Sequence, residues 1–549
     1  MPNQLSRLSN WFVLAATAKT DRANRLSAPG PLAEAGPPAR RLILLALLVT
    51  CFVPRALTAW RLDGICADGA SYIHMAQALE HGDFQQAFRL QLNIYPAILA
   101  GLHQLGIPWE LGGRIWGTLA ATLVVLPLFG WVRRQFDDRL AIVACLLYAG
   151  HPELIEWSPE IVRDPTFWLL FTTSIYLLWR AASAASLKHY AAAGLAITLA
   201  ILTRFEGLFL LAPLLGWTLA RACASRALRP RLVVGLALSL AVLPALLVAG
   251  NLAWSSRTGR VEMIRLEKFN VARNWIVAWW NPPKVAVPAM AQAGIHNREA
   301  QPGGAVRWGT GRLLWQFVHQ GERGLTPLFA ILLFAGCLAH PRLLFRSDQL
   351  PMAGLSLLIC AGIWIHIWFF HLSSGRYFPP VAILSTPTAA LGWMCTARLA
   401  RRAVAAWHWP RIACRWAPGA IVAALLVIGW ADALTTNVEL RLMNIRLGQW
   451  ISGHCGRQPT ILGVDDQLPV VAHYAHGNFI ALPAGLSDAD LVDMVRRQRP
   501  DVVIFSRRHL AGECGVLMAA RRQLELEPVD GLPEVSSRFV VLARHRLER

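Results

Sequence analysis

Apolar residues in this chain gather into long blocks instead of alternating with polar ones. Runs such as Leu42–Val53, Leu232–Val248 and Ala420–Trp430 are almost uninterrupted, and short charged knots separate them. A helix of about 20 such residues crosses the roughly 30 Å of hydrocarbon in a bilayer. Backbone amides find no water at that depth, so the helix, which satisfies them internally, is the expected conformation. The pattern predicts about eleven transmembrane helices, at approximately 41–60, 111–131, 140–156, 166–184, 190–204, 207–220, 232–250, 325–340, 352–371, 376–396 and 418–435. The pair within 190–220 is short enough to form a re-entrant hairpin instead. Residues 1–40, rich in Ala, Pro and Arg, read as a largely disordered tail. No cleavable signal peptide is evident, because the first long apolar block begins after Arg40-Arg41.

Beyond residue 436 the texture changes. Thr460–Val464, Phe479–Leu482, Asp501–Phe505 and Arg538–Leu542 are short strand-like runs, and Ser487–Arg497 and Leu510–Glu525 have helical spacing. Strands alternating with helices predict a small α/β domain over 436–549. It has no glycine-rich phosphate loop, so it reads as an accessory or acceptor-binding module. The expected fold class is therefore a polytopic α-helical membrane protein with a small C-terminal α/β domain.

Composition agrees. Of 549 residues 55% are apolar and 16% charged, against about 25% charged in a soluble domain. The net charge of +20 would suit a nucleic-acid partner if it formed a patch, but most of it lies between the apolar blocks, where it sets membrane orientation. With the N-terminus inside, the cytoplasmic connections hold Arg133, Arg134, Arg139, Arg180, Lys188, Arg221, Arg226, Arg229, Arg231, Arg342, Arg346, Arg398, Arg401, Arg402, Arg411 and Arg415. Against them stand only Asp137, Asp138 and Asp348. This orientation leaves loops 61–110 and 251–324 and the C-terminal domain on the outer, periplasmic side of a cytoplasmic membrane. An interfacial helix is expected at Gly69–His81 and an amphipathic one near Tyr95–Leu105. The Trp-rich stretch Asn274–Trp280 suits the headgroup layer. The ten cysteines show no CxxC or paired metal spacing; Cys455 and Cys514 share the C-terminal domain, which leaves a disulfide between them open.

Ionisable residues at membrane segments suggest function, and several fall at the outer ends of the predicted helices. Asp68 opens Asp68-Gly-Ala-Ser-Tyr72. Glu160, Arg163 and Asp164 lie in Ser158-Pro-Glu-Ile-Val-Arg-Asp-Pro165, Arg204 and Glu206 in Leu202-Thr-Arg-Phe-Glu-Gly207, and Arg376 and Tyr377 in Ser374-Gly-Arg-Tyr-Phe-Pro-Pro380. Each has a plainer reading. Asp68 would serve as an N-cap, Arg163 with Asp164 and Arg204 with Glu206 as local ion pairs, and Arg376 as a snorkelling anchor. His366 and His371 are badly spaced for one helix face, and His473 and His476 suit an ordinary surface.

Taken together, these motifs resemble the membrane glycosyltransferases of the GT-C superfamily. The resemblance is to the family 39-like bacterial enzymes related to protein mannosyltransferases and to the aminoarabinose transferase of lipid A. It rests on Asp68 and the continuation Ala76-Gln-Ala-Leu-Glu-His-Gly-Asp-Phe84, on Tyr95-Pro96 and Arg114, on Glu160-Ile-Val-Arg-Asp164, on Thr203-Arg-Phe-Glu-Gly207, and on Arg376-Tyr-Phe-Pro379. It covers about residues 41–395. Two features depart from it: Gly69 stands where relatives often carry a second acidic residue, and 251–324 matches nothing.

The resemblance implies a transferase that moves a sugar from a polyprenyl-phosphate carrier to an envelope lipid, polysaccharide or protein, with inversion, at the periplasmic face of a bacterial inner membrane. It implies Asp68 as general base, with Asp164 also catalytic. Arg376 stabilises the leaving phosphate, followed by Arg204 and Arg163, with Tyr377 a neutral donor. Tyr72, Glu160 and Glu206 bind substrate. No cofactor is expected, although Asp68, Glu160 and Asp164 together would suit a divalent metal. Two other classes fit the composition. A transporter or flippase would place its charges at mid-membrane and show an internal repeat, neither of which is seen; an inactive envelope scaffold would keep the fold without the chemistry.

Overall fold

The computed structural model describes residues 37–87, 93–258, 309–344, 349–370, 374–406, parts of 420–433, and 438–544 except 457, 464–466, 483–486, 507–512 and 530–538. The tail before residue 37, the Trp-rich stretch 274–280, most of the expected helix 418–435 and the side chain of Cys514 lie outside the described residues.

Helix α1 (Pro37–Arg61) leads to α2 (Ala67–Glu80) and α3 (Ile94–Gln104), the two helices expected in the first external loop. The chain continues through α4 (Trp109–Leu123), α5 (Val125–Gln135), α6 (Asp138–Ala149) and the short α7 (Pro152–Glu156). Next come α8 (Asp164–Ala184), α9 (Leu187–Thr203), α10 (Leu211–Ala224) and α11 (Arg229–Thr258). After the undescribed loop follow α12 (Thr310–Leu325), α13 (Pro327–Ala339), α14 (Leu350–Phe370) and α15 (Pro379–Ala406). Thus the first ten expected spans coincide with helices. Five stretches are by themselves long and apolar enough to cross a bilayer: Pro38–Arg61, Trp109–Gln135, Phe205–Ala224, Arg226–Gly250 and Leu350–Trp368. The pair α12 and α13, bent by 94°, makes a sixth if taken as one span. Their outward faces carry exposed Leu45, Val233, Leu252, Phe334 and Leu357, as lipid contact requires. The chain is a multi-pass membrane protein.

The segment between α7 and α8 positions the chemistry. Pro159 and Pro165 bracket it and supply no backbone N–H, so helix cannot run through. The irregular chain instead lies along the glycine face of α4. A Cβ at Gly113 would come within 2.9 Å of Ile161 Cγ2, and one at Gly117 would overlap the Ser158 carbonyl oxygen. From the other side α2 meets the same side chain at Gly69, where a Cβ would sit 3.1 Å from Ile161 Cβ. The glycine that departs from the expected acidic residue is therefore a packing position.

Arg55, fully buried in α1, fixes the segment from below. Its guanidinium donates to the carbonyls of Cys51 at 2.8 Å and Ala149 at 3.3 Å and to Ser158 Oγ at 3.1 Å, and stacks on the Tyr148 ring at 5.0 Å. The carbonyls at the end of α6 are the negative pole of that helix. They accept a cation that makes no ion pair among the described residues.

The C-terminal domain comprises α16 (Val438–His454), β1 (Thr460–Gly463), α17 (Leu468–Tyr474), β2 (Asn478–Ala481), α18 (Asp488–Gln498), β3 (Val502–Ser506), α19 (Glu513–Ala520), β4 (Leu526–Pro528) and β5 (Phe539–Arg544). The sheet order is β2-β1-β3-β5-β4, parallel across β2, β1 and β3 and antiparallel thereafter. Successive strand residues face opposite sides. Accordingly Ile461, Val502 and Ile504 pack on Leu447, Ile451 and Val471, while Leu462, Val503 and Phe505 pack on Leu491, Val495 and Leu517. The pattern read from sequence found four of these strands but not β4, whose Leu526-Glu-Pro528 is too short to show a period. It also missed α16 and α17, the two helices that touch the membrane domain. Val470 and Tyr474 of α17 pack with Ile65, Ile73 and Leu99, and His473 reaches Glu110 at 3.4 Å. Cys455 carries a free thiol.

A side chain at Gly117 must displace backbone. Gly117→Val should cost about 1–3 kcal/mol, as overpacking does, measured by thermal unfolding in detergent. Gly101→Ala, where an added Cβ meets nothing within 4 Å, should not lower the melting temperature.

Candidate active site

Five segments that are distant in sequence converge. Asp68 lies in the first turn of α2, beyond its N-cap, which is Cys66. It caps nothing; its Oδ2 instead pairs with Arg376 Nη1 at 2.5 Å. Arg376 comes from the 3₁₀ turn Gly375–Tyr377 that precedes α15, and its guanidinium stacks over Trp157 at 5.5 Å and Tyr377 at 5.8 Å. The turn packs closely there, since a Cβ added at Gly375 would meet Glu153, Arg323 and Gly324 within 3.4 Å.

Beneath this pair lies a second one, more deeply buried. Arg204, at the break between α9 and the 3₁₀ turn Phe205–Leu210, bonds both Asp164 and Glu206, the latter at 2.6 Å. The Arg204 and Asp164 side chains are 5% and 4% exposed. The Arg204 guanidinium lies over the Tyr377 ring at 5.5 Å and the Phe167 ring at 5.8 Å. Asp164 therefore partners Arg204 and not the adjacent Arg163. Arg163 makes no ion pair among the described residues, and its Nη1 is buried without a hydrogen-bond partner.

Glu160 forms a third pair, with Arg441 of α16. Burial works against the Arg441 cation, but the neighbouring Glu160, together with Cys66 and Glu156, outweighs it and raises the arginine pKa. Tyr72 closes the group. Burial pushes its phenol up to about 12, with Arg163, Asp68, Asp164 and Arg376 all within electrostatic reach. It is thus a neutral hydroxyl at any physiological pH.

Every residue proposed from sequence therefore belongs to one neighbourhood: Asp68, Tyr72, Glu160, Arg163, Asp164, Arg204, Glu206, Arg376 and Tyr377. Four carboxylates face four guanidinium groups (Asp68, Glu160, Asp164 and Glu206 with Arg163, Arg204, Arg376 and Arg441), so the cluster is formally neutral. The three carboxylates that might have shared a metal are each held by a different arginine. Among the described residues no group of three His, Cys, Asp or Glu side chains could hold an ion. Sequence reasoning missed Arg441, Trp157 and Arg55. An arginine inside the apolar run of α1 was a visible signal for Arg55; nothing marked Arg441, one of many surface-like arginines.

Comparison with known proteins places the fold. Residues 94–254 match the model of the family described as dolichyl-phosphate-mannose-protein mannosyltransferase. ArnT from Cupriavidus metallidurans in the apo state is 16% identical, with a TM-score of 0.54 over 91% of this chain and 97% of that one. ArnT bound to undecaprenyl phosphate gives 0.52 over 93% and 98%, again at 16% identity. The archaeal oligosaccharyltransferase AglB from Archaeoglobus fulgidus, in complex with an inhibitory peptide and a dolichol-phosphate, is 13% identical, with a TM-score of 0.51 over 88% and 71%. No curated protein sequence matches the chain. The chain has the GT-C membrane fold.

Removing one partner from a buried ion pair leaves an uncompensated charge and costs about 3–5 kcal/mol. Arg204→Met should lower the melting temperature sharply. Combining it with Asp164→Asn should recover part of the loss, because the second change removes the stranded carboxylate. A double variant no more stable than the single one would contradict the pairing.

Proposed function

We propose that the chain is a glycosyltransferase that moves a sugar from a polyprenyl-phosphate carrier to an envelope lipid, polysaccharide or protein, at the periplasmic face and with inversion. The observation that carries this reading is the contact of Asp68 with Arg376, a proton acceptor and a phosphate-binding cation side by side in a GT-C fold. The match over 94–254 to a family that uses a lipid-phosphate sugar supports the donor class. The undecaprenyl phosphate bound to ArnT supports the carrier.

The reaction is a displacement at the anomeric carbon. The acceptor oxygen forms a bond to C1 as its proton passes to Asp68. The C1–O bond to the carrier breaks, and its electron pair leaves with the phosphate. Attack opposite the leaving group inverts C1. Asp68 uses Oδ2 for Arg376, and Oδ1 is assigned to take the proton; the side chain is 41% exposed, as contact with an incoming acceptor requires. The phosphate gains a second negative charge, which must be met by preorganised donors. Arg376 and Arg163 are assigned that task, since the planar guanidinium suits bidentate phosphate contact. Arg204, already bonded to two carboxylates, is assigned to hold Asp164 and Glu206 in place. Tyr377 covers both arginines and excludes water.

The purified chain, incubated with radiolabelled polyprenyl-phosphate sugars and envelope fractions, should transfer label. Translocation of the carrier without transfer would replace this reading with that of a flippase. Asp68→Asn should reduce transfer by about 10²–10⁴-fold, the usual contribution of a general base, with folding and membrane insertion intact; full activity would remove Asp68 from that role. Sidedness has its own test. A membrane-impermeant maleimide should label His81→Cys in intact cells, and native Cys223, which is exposed, only after permeabilisation. The reverse pattern would put the chemistry in the cytosol.

A further inference from the structure

Three buried polar atoms around Glu160 have no hydrogen-bond partner among the described residues: Tyr95 Oη, Glu160 Oε2 and Arg441 Nη1. They share one neighbourhood. Arg441 Nη2 bonds the other Glu160 oxygen. The Tyr95 phenol, fully buried, feels both Glu160 and Asp164, and its ring meets Tyr72 edge-on at 5.2 Å. Cys66, the N-cap of α2, is within electrostatic reach of both Glu160 and Asp68. A buried group left without its hydrogen bond costs about 1–3 kcal/mol, and native proteins keep few of them. Several in one place, beside a proposed reaction centre, indicate that a ligand supplies the missing partners.

The chemistry of the set identifies that ligand. Glu160 Oε2 accepts only, Arg441 Nη1 donates only, and a phenol does either. A phosphate would be repelled by Glu160. A hydroxylated ring, each of whose hydroxyls both donates and accepts, fits all three. Depth separates donor from acceptor. The Glu160 side chain is 2% exposed, whereas Asp68 is 41% exposed. The sugar already on its carrier fills the deeper position, and the acceptor arrives over Asp68. We propose that Glu160, Tyr95 and Arg441 form the subsite for the ring of the transferred sugar, with Arg441 delivered to it by the C-terminal domain. This rests on the glycosyl-transfer reading above. It gives the α/β domain a direct part in the site: α16 places the guanidinium, and α17 fixes the domain through His473 on Glu110 and Val470 on the α2 face.

The test compares the full chain in nanodiscs binding bare undecaprenyl phosphate with its binding of undecaprenyl phosphate carrying glucose or mannose. The wild type should hold the glycosylated carriers more tightly. Arg441→Ala and Glu160→Gln should each weaken the glycosylated carriers by about tenfold or more, as loss of a hydrogen bond to a charged group does, and leave the bare carrier within about twofold. Arg441→Lys, which keeps the charge but loses the fork, should fall between. His473→Ala removes one of the contacts that fix the domain without touching the subsite, and should weaken the glycosylated carriers less than Arg441→Ala does. Equal weakening of bare and glycosylated carriers, no change in either, or a His473→Ala effect matching that of Arg441→Ala each overturns the subsite. So does a wild type that binds the bare carrier but shows no preference for the glycosylated ones. A wild type that binds neither carrier removes the lipid-carrier reading itself.

Discussion

A guanidinium group taken out of water must find its acceptors within the protein, and here that requirement joins segments far apart in the chain. Arg204 gathers Asp164 and Glu206, Arg376 reaches back to Asp68, and Arg441 reaches Glu160 from beyond the membrane helices. Arg55 does the same with carbonyl and hydroxyl oxygens. Solvation of an ion in a low-dielectric interior is worth many kcal/mol, so these links decide which ends of which helices meet. The apolar stripes between helices are far less particular, because lipid tails satisfy a leucine as well as a neighbouring helix does.

That pairing balances the charge of the four carboxylates and four guanidinium groups. It also sets what the site can accept. A phosphate would add negative charge beside Arg163, whose Nη1 meets no acceptor among the described residues, and beside Arg376, whose ion pair is partly open to water. The fully enclosed Arg204 is a poor candidate for the same contact, since binding there would have to strip away two carboxylates. Burial thus divides like residues into a scaffold and a working set.

The close approach of backbone to backbone is the second constraint. Ile161 sits between Gly69 and Gly113, and Ser158 lies on Gly117. Small residues permit such contact where side chains would forbid it, as between helices in membranes. With Arg55 bonded to Ser158 from below, the stretch from Ser158 to Asp164 is held on several sides. Glu160 and Asp164 keep fixed positions although no regular element contains the first of them.

Much of this was legible in the sequence, for reasons that are local. Apolar block lengths set the helices, because hydrocarbon thickness does, and alternation in Val502–Ser506 set a strand, because pleating does. Charged residues at helix ends marked the neighbourhood of Asp68, Arg204 and Arg376, since ions at a membrane are costly wherever they lie. Pairing was another matter. Sequence adjacency offered Arg163 with Asp164, Arg204 with Glu206 and a capping role for Asp68; folding kept Arg204 with Glu206 but also gave Asp164 to Arg204, and gave Asp68 to Arg376. Arg441, which no periodicity distinguished, became the partner of Glu160 only when α16 was laid against the loop. Solvation and hydrophobic period act residue by residue and can be read along the chain, but which carboxylate a buried cation meets depends on distances that exist only once the helices have packed.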